Sequence, residues 1–306
     1  MRQALSNKLV DMASKNSNLI LLTGDHGYAL FDEFRKIFPE KYINAGVAEQ
    51  NMVGMAAGLA RVGFFPIVYG LSAFIPIRVL EQIKLDVCHD ELPVIFLGDG
   101  AGFVYSSLGT SHQSTEDIGV TRSIPFLDIY SPADRFEITA VLDLAESSRN
   151  PSYIRIGKSD LGDVHSAPIT ITKNKLLPIN ISDSPITFIA TGSMVKVAAN
   201  LSKIFKNANV WSAPCLKPIN TELLFDIFQK SKIIVTFEEH NIYGGLGGII
   251  AEISSEIYPL PILRIGVNDC FSKYCGTYQY LLEEHGLNFE SIKSKIHSHL
   301  EIHQIK

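Results

Sequence analysis

The chain is 306 residues long, 46% hydrophobic and 19% charged, with a formal net charge of −5. Length and composition together describe a folded, soluble chain of two domains. No basic surplus is present to recruit nucleic acid or an anionic membrane, and no apolar run is long enough to span a bilayer.

The N-terminus mixes charged and polar residues where a signal peptide carries an apolar core, so the reading places the chain in the cytoplasm. Its four cysteines, Cys88, Cys215, Cys270 and Cys275, form no CxxC pair and are read as free thiols.

In chain order, short β-rich apolar runs at 19–22, 66–69, 94–97, 126–130 and 153–156 predict strands, followed by further runs at 186–190, 210–212, 233–237 and 262–265. Helical periodicity falls between them, at about 3–15, 47–61, 75–89, 134–147, 194–206, 220–230, 246–257, 276–285 and 289–303. Strand alternating with helix implies an α/β chain with mostly parallel sheets flanked by helices. The stretch 161–184 holds Gly162, Pro168 and Pro178 without a sustained period and reads as a linker between domains at 1–160 and 185–306.

Leu21-Leu-Thr-Gly-Asp-His-Gly27 leaves the first strand at a glycine turn, the end of a parallel strand where ligands gather. Asp25 in that turn is either a ligand-facing acid or the start of an Asx turn. Next, Asn44-Ala-Gly-Val-Ala-Glu-Gln-Asn-Met52 opens a helix with Glu49 in or just before its first turn. A carboxylate there either caps the helix in water or is held, partly desolvated, against a group that needs a proton.

Phe74 follows in Tyr69-Gly-Leu-Ser-Ala-Phe-Ile-Pro-Ile77; a lone phenylalanine is ordinarily core. Gly98-Asp99-Gly100 reads as the tight exit from a strand. Gly109-Thr-Ser-His-Gln-Ser-Thr-Glu-Asp117 puts His112 on a loop before a helix start, a position that suits acid–base work, although a loop histidine taken alone is ordinarily a surface residue. Glu238-Glu-His240, with Gly244-Gly-Leu-Gly-Gly248 behind it, misses the last small residue of a dinucleotide fingerprint. The terminal His297, His299 and His303 read as solvated helix positions, since residues two apart on a helix point to different sides.

Three of these elements resemble the transketolase family of thiamine diphosphate enzymes: Gly46-Val-Ala-Glu-Gln-Asn-Met52, Gly109-Thr-Ser-His-Gln-Ser-Thr-Glu-Asp117 and the Glu238 to Gly248 segment. The resemblance spans about 19–287 and implies a pyrimidine-binding domain followed by the family's C-terminal domain. It gives Glu49 the hydrogen bond to N1′ of the cofactor's aminopyrimidine, which assists removal of the thiazolium C2 proton. Phe74, with Ile77 where many members have a second aromatic, becomes the stacking surface, and Asp25 a residue near the cofactor at a subunit interface. His112 faces the reacting carbon and substrate oxygens, and His26 joins it on the substrate side.

Departures from the family pattern are equally informative. Leu108 stands where many members have an aspartate that selects hydroxyl configuration, and Gly100 where they have a phosphate-contacting histidine. Lys158 replaces a phosphate-binding arginine and so lacks the bidentate fork. Arg155, within a strand, is assigned a structural role.

No paired asparagines follow Gly98-Asp99-Gly100, so the diphosphate–magnesium motif of the superfamily is incomplete and no metal ligand is assigned in this chain. The resemblance therefore implies the smaller subunit of a split transketolase. A separate N-terminal subunit would supply the diphosphate and Mg²⁺ site, in an α₂β₂ assembly acting on sugar substrates. The implied reaction is transfer of a two-carbon ketol unit from a ketose to an aldehyde, and the loss of the histidine points to a modified or nucleotide-linked sugar. The rivals are the β subunit of a 2-oxo acid dehydrogenase, a deoxyxylulose phosphate synthase-like enzyme, or a non-catalytic scaffold subunit.

Overall fold

The computed structural model describes residues 1–158 and 160–305. Apolar runs of four to seven residues, buried on both faces, are what a helix-covered parallel sheet requires, and two such sheets form. The first is built from β1 (Leu19–Thr23), β2 (Tyr42–Asn44), β3 (Phe65–Leu71), β4 (Ile95–Asp99), β5 (Asp128–Tyr130) and β6 (Ser152–Ile156). The second uses β7 (Leu177–Asn180), β8 (Ile186–Ala190), β9 (Asn209–Ser212), β11 (Ile233–Asn241) and β12 (Ile262–Val267), while β10 (Cys215–Lys217) crosses back to the first. The strand orders are β10-β5-β6-β4-β3-β1-β2 and β12-β11-β8-β9-β7. All pairings are parallel except β10 on β5 and β7 on β9.

The helices are α1 (Arg2–Lys15), α2 (Asp32–Ile37), α3 (Glu49–Arg61), α4 (Leu80–Gln82), α5 (Asp117–Thr121), α6 (Arg135–Ser148), α7 (Met194–Ser202), α8 (Thr221–Gln229), α9 (Leu246–Ile257), α10 (Tyr278–Glu284) and α11 (Phe289–Ile302). Alternate residues of each strand feed opposite layers. In β1, Ile20 and Leu22 pack with Met52, Val53 and Ala56 of α3, whereas Leu19 and Leu21 pack with Leu5 and Leu9 of α1 and with Val141 of α6. The α3 layer continues through Ile189, Ile234 and Leu246, so the two sheets share one apolar core. The outer face of the second sheet is closed by α7 and α11 around Phe188, Val195 and Ile296.

Two readings from periodicity are corrected and one unpredicted strand is added. The stretch 161–184 is not wholly irregular, because its residues Leu177–Asn180 form an edge strand, where Pro178 is tolerated since one side of the strand needs no ladder bond. Cys215–Lys217 adds to the first sheet although it lies deep in the second half of the chain. The helix predicted over 75–89 breaks into a 3₁₀ turn at Ile77–Val79, a single turn at Leu80–Gln82 and a π segment at Ile83–Cys88, Pro76 being unable to donate a backbone hydrogen bond. Two short elements, Tyr42–Asn44 and Asp32–Ile37, also carry too few residues for a period to register.

The halves are tied together by a buried ionic knot. Arg155 on β6, 2% exposed, donates from Nε to both carboxylate oxygens of Asp117 at 3.0 and 2.8 Å, and from Nη2 to the backbone oxygens of Ser114 and Glu239 at 3.1 and 2.7 Å. Tyr153 adds its hydroxyl to Asp117 at 2.7 Å. Across the junction, Glu239 accepts from the Phe103 backbone N–H at 2.7 Å, the Ser193 hydroxyl at 2.7 Å and the Tyr278 hydroxyl at 2.6 Å. Its neighbour Glu238 caps α9 by accepting from Leu246 and Gly247 N–H at 2.7 and 2.8 Å.

Removing one member of such a pair leaves a buried charge uncompensated. Asp117→Asn is expected to lower unfolding free energy by about 3–5 kcal/mol in urea titration. A loss below about 1 kcal/mol would mean that water reaches Arg155.

Candidate active site

The site forms at the carboxyl ends of β1, β2, β3 and β4, where four exit loops converge. Glu49 is the first residue of α3, yet it is not a solvated cap: its side chain is 3% exposed, and helix α3 has no side-chain cap at Ala48. One carboxylate oxygen, Oε2, lies 2.9 Å from Nη1 of Arg78. The other, Oε1, is buried without a hydrogen-bond partner. A buried carboxylate oxygen left bare costs free energy unless a donor comes to it.

Phe74 lies outside all three apolar clusters and is only half-buried, so it is not plain core. Its ring is edge-on to His112 at a centroid distance of 5.3 Å and tilted against His26 at 6.0 Å. The guanidinium of Arg78 sits over the same ring, 4.0 Å from its centroid. The Nε2 atom of His26 is buried and also lacks a partner. Glu49, Phe74, His112, His26 and Arg78 thus make one connected group with two unsatisfied polar atoms.

The remaining sequence candidates fall around this group or away from it. Ile77, half-buried in its 3₁₀ turn, belongs to none of the apolar clusters. Asp25 is exposed with φ of 62°, accepts from the Tyr28 hydroxyl, and meets Asn44 Nδ2 at 3.2 Å. Asn44 Oδ1 in turn accepts from the backbone N–H of Asp25 and Gly46, both at 3.0 Å, which fixes the two exit loops against each other. Leu108 is 53% exposed just before the His112 turn. Lys158 pairs with Asp160 at 3.1 Å and lies 5.3 Å from the Tyr278 ring, so its partners come from outside the Glu49 group.

Gly98-Asp99-Gly100 is a strand exit with its acid engaged. Asp99 accepts from Arg2 at 3.0 Å, from the Tyr69 hydroxyl at 2.7 Å and from Tyr105 at 3.3 Å. Gly100 has φ of 80°, and a Cβ there would meet the Tyr105 ring at 1.9 Å. Among the described residues, no group of three or more His, Cys, Asp or Glu could hold a metal ion.

The loop bearing His112 is held from the second half of the chain. Gln113 accepts at Oε1 from the Ser272 hydroxyl at 2.8 Å, and Ser272 also meets His285 Nε2 at 2.9 Å. Downstream, Asn241 N–H donates to Thr115 O at 2.6 Å, and Gly119 N–H donates to His240 Nε2 at 3.2 Å. His240 Nδ1 lies 2.7 Å from Asn241 O, so the ring serves as a neutral acceptor–donor bridge. Burial, against the pull of nearby Asp117, lowers its pKa to about 4. Glu238 beside it is pushed up to about 7 by burial, with the Gly247 and Leu246 N–H groups opposing.

Arg78 is the residue that sequence reading passed over. Its signal was present: a lone cation four residues after Phe74 in the otherwise uncharged run Ala73-Phe-Ile-Pro-Ile-Arg-Val-Leu80.

Between the ordinary histidine pKa near 6.5 and about 4, unfolded His240 binds a proton and folded His240 does not. Wild-type stability should therefore fall over this window as pH drops, and His240→Gln should fall less. Melting temperatures of both proteins across pH 7 to 4 measure this; Glu238 is present in each, so the difference isolates His240. Parallel curves would show that the ring titrates normally.

The chain matches the family model for the transketolase pyrimidine binding domain over residues 1–163 and that for the transketolase C-terminal domain over residues 179–292. It is 36% identical to a protein of Methanocaldococcus jannaschii named for the transketolase C-terminal section, over 97% of this chain and 95% of that one. It is 31% identical to one subunit of an apulose-4-phosphate transketolase of Actinobacillus succinogenes, with 85% of each covered. Among solved structures it superposes on a split gene transketolase, described as an inactive beta4 tetramer, with a TM-score of 0.90, 33% identity and 98% of both chains covered. By its two matched domains and these relatives, the chain belongs to the transketolase family.

Proposed function

We propose that this chain is the pyrimidine-domain subunit of a two-subunit, thiamine diphosphate-dependent transketolase. The observation that carries the reading is Glu49: a carboxylate buried at a helix start, with one bare oxygen, opening beside a half-exposed phenylalanine. An aminopyrimidine fits that setting, because a proton shared between its ring nitrogen and Oε1 would complete the missing hydrogen bond while its flat face covers Phe74 and Ile77. The group supplies an electron sink for the two-carbon ketol unit. Glu49 holds the proton at N1′. His112, on a loop braced by Gln113 and Thr115, is placed to donate to or accept from substrate oxygens. His26 brings a second imidazole to the same rim, and Asp25 fixes the loop that carries it.

Relatives that are separate chains of similar length support the split arrangement. A partner carrying the diphosphate and Mg²⁺ site, in an α₂β₂ assembly in the cytoplasm, completes the proposal. The substrates would be ketose donors and aldehyde acceptors of modified structure. Leu108 and Gly100 remove two polar contacts, and one relative, 31% identical, is a 6-deoxy-6-sulfo-D-fructose transketolase subunit from Clostridium sp.. The chain also spans about half (47%) of a 1-deoxy-D-xylulose-5-phosphate synthase of Caldanaerobacter subterraneus at 32% identity. Carbon dioxide release from pyruvate would favour that second reading.

In the assembled complex, Glu49→Gln should lower kcat for ketol transfer by roughly 10²–10⁴-fold, the range for loss of a positioned acid–base group. Full activity of Glu49→Gln would turn the chain into a scaffold.

A further inference from the structure

Glu49 is held in an asymmetric way. A carboxylate that is 3% exposed needs a counter-charge or several donors. The helix N-terminus supplies part of that compensation, and Arg78 adds to it through an ion-pair contact with Oε2 at 2.9 Å. The guanidinium is itself fixed, since it rests over the Phe74 ring at 4.0 Å while its outer side meets water, the side chain being 45% exposed. Ring, guanidinium and carboxylate therefore form a chain of three groups in contact. One oxygen of Glu49 is occupied and the other is left bare.

We propose that Arg78 is a positioning residue: it pins Oε2 of Glu49 beside the Phe74 ring so that Oε1 alone is presented to the ring nitrogen of the bound pyrimidine. The inference rests on the cofactor reading above and assigns this chain's own selectivity for a protonated heteroaromatic nitrogen. An arginine remains charged at all accessible pH, so it is always available to pair with Oε2. Its flat fork can bond the carboxylate and lie on an aromatic face at once, which an ammonium cannot.

The test is a set of calorimetric titrations of the assembled two-subunit complex with thiamine diphosphate and Mg²⁺. A parallel set uses an analogue in which carbon replaces N1′. Arg78→Gln should weaken binding of the natural cofactor by roughly tenfold to a hundredfold, the worth of one charge-assisted hydrogen bond. It should leave the analogue unaffected, and it should add nothing to a Glu49→Gln background. Arg78→Lys should recover part of the loss. Equal loss with cofactor and analogue would reduce Arg78 to a structural role, and tighter binding by Arg78→Gln would make it a plug that leaves on loading; either result overturns the proposal.

A second readout needs no cofactor. In this chain alone, Arg78→Gln should lower the melting temperature, and the loss should disappear when Glu49 is replaced by glutamine. Absence of that coupling overturns the ion pair itself. Failure of the wild-type complex to bind thiamine diphosphate, with the coupling intact, overturns the cofactor reading and the presentation role built on it.

Discussion

The contact on which the structure depends is the buried Asp117–Arg155 pair. Two charges withdrawn from water are costly, and the cost is met here only because every group around them is used: Tyr153 on the acid, the Ser114 and Glu239 carbonyls on the guanidinium. Those partners come from both halves of the chain. Moving the second sheet relative to the first would strip the Glu239 carbonyl acceptor from a guanidinium that cannot reach solvent. The pair thus converts two α/β units into one body, and Asp117 lies only five residues beyond His112. Electrostatics deep in the junction decides where the catalytic candidate stands.

The same logic runs outward to the site. Glu238 and Glu239 are buried acids satisfied by backbone N–H groups, hydroxyls and a helix start, and His240 is kept neutral so that it can bridge without a counter-ion. Each is expensive unless its partners are fixed, and each fixes a segment that abuts the His112 loop. Glu49 differs from these two acids in having one oxygen paired and one bare. Buried atoms elsewhere, Glu284 Oε2 and Gln113 Nε2 among them, are also bare, but Glu49 Oε1 and His26 Nε2 lie in one connected group around the Phe74 ring, where a ligand would enter.

Much of this was legible in the sequence. Alternating apolar runs and helical periods give the two parallel sheets because burial on both faces imposes continuous hydrophobic strands. The Gly-Val-Ala-Glu-Gln-Asn-Met element marks Glu49 through its resemblance to the transketolase family, since a carboxylate at a helix start is by itself also a solvated cap. What was hidden depends on distance in the chain. The return of Cys215–Lys217 to the first sheet, and the edge strand Leu177–Asn180, are set by pairing with segments far away, and three or four residues carry no period. Arg155 could be assigned to a strand, but its meeting with Asp117 and with the Glu239 carbonyl is a property of the packed junction. Arg78 was hidden for a different reason: a single exposed arginine looks like solvation until the ring and the carboxylate on either side of it are in place.

The central claim is that this chain carries half of a cofactor site, with the pyrimidine end built and the diphosphate end supplied by a partner. The most direct measurement is the affinity of thiamine diphosphate with Mg²⁺ for the chain alone and for the chain purified with its partner. The account predicts tight binding in the mixture and weak or no binding to the chain by itself. Tight binding to the lone chain would contradict it and would return the diphosphate site to the strand exit at Asp99.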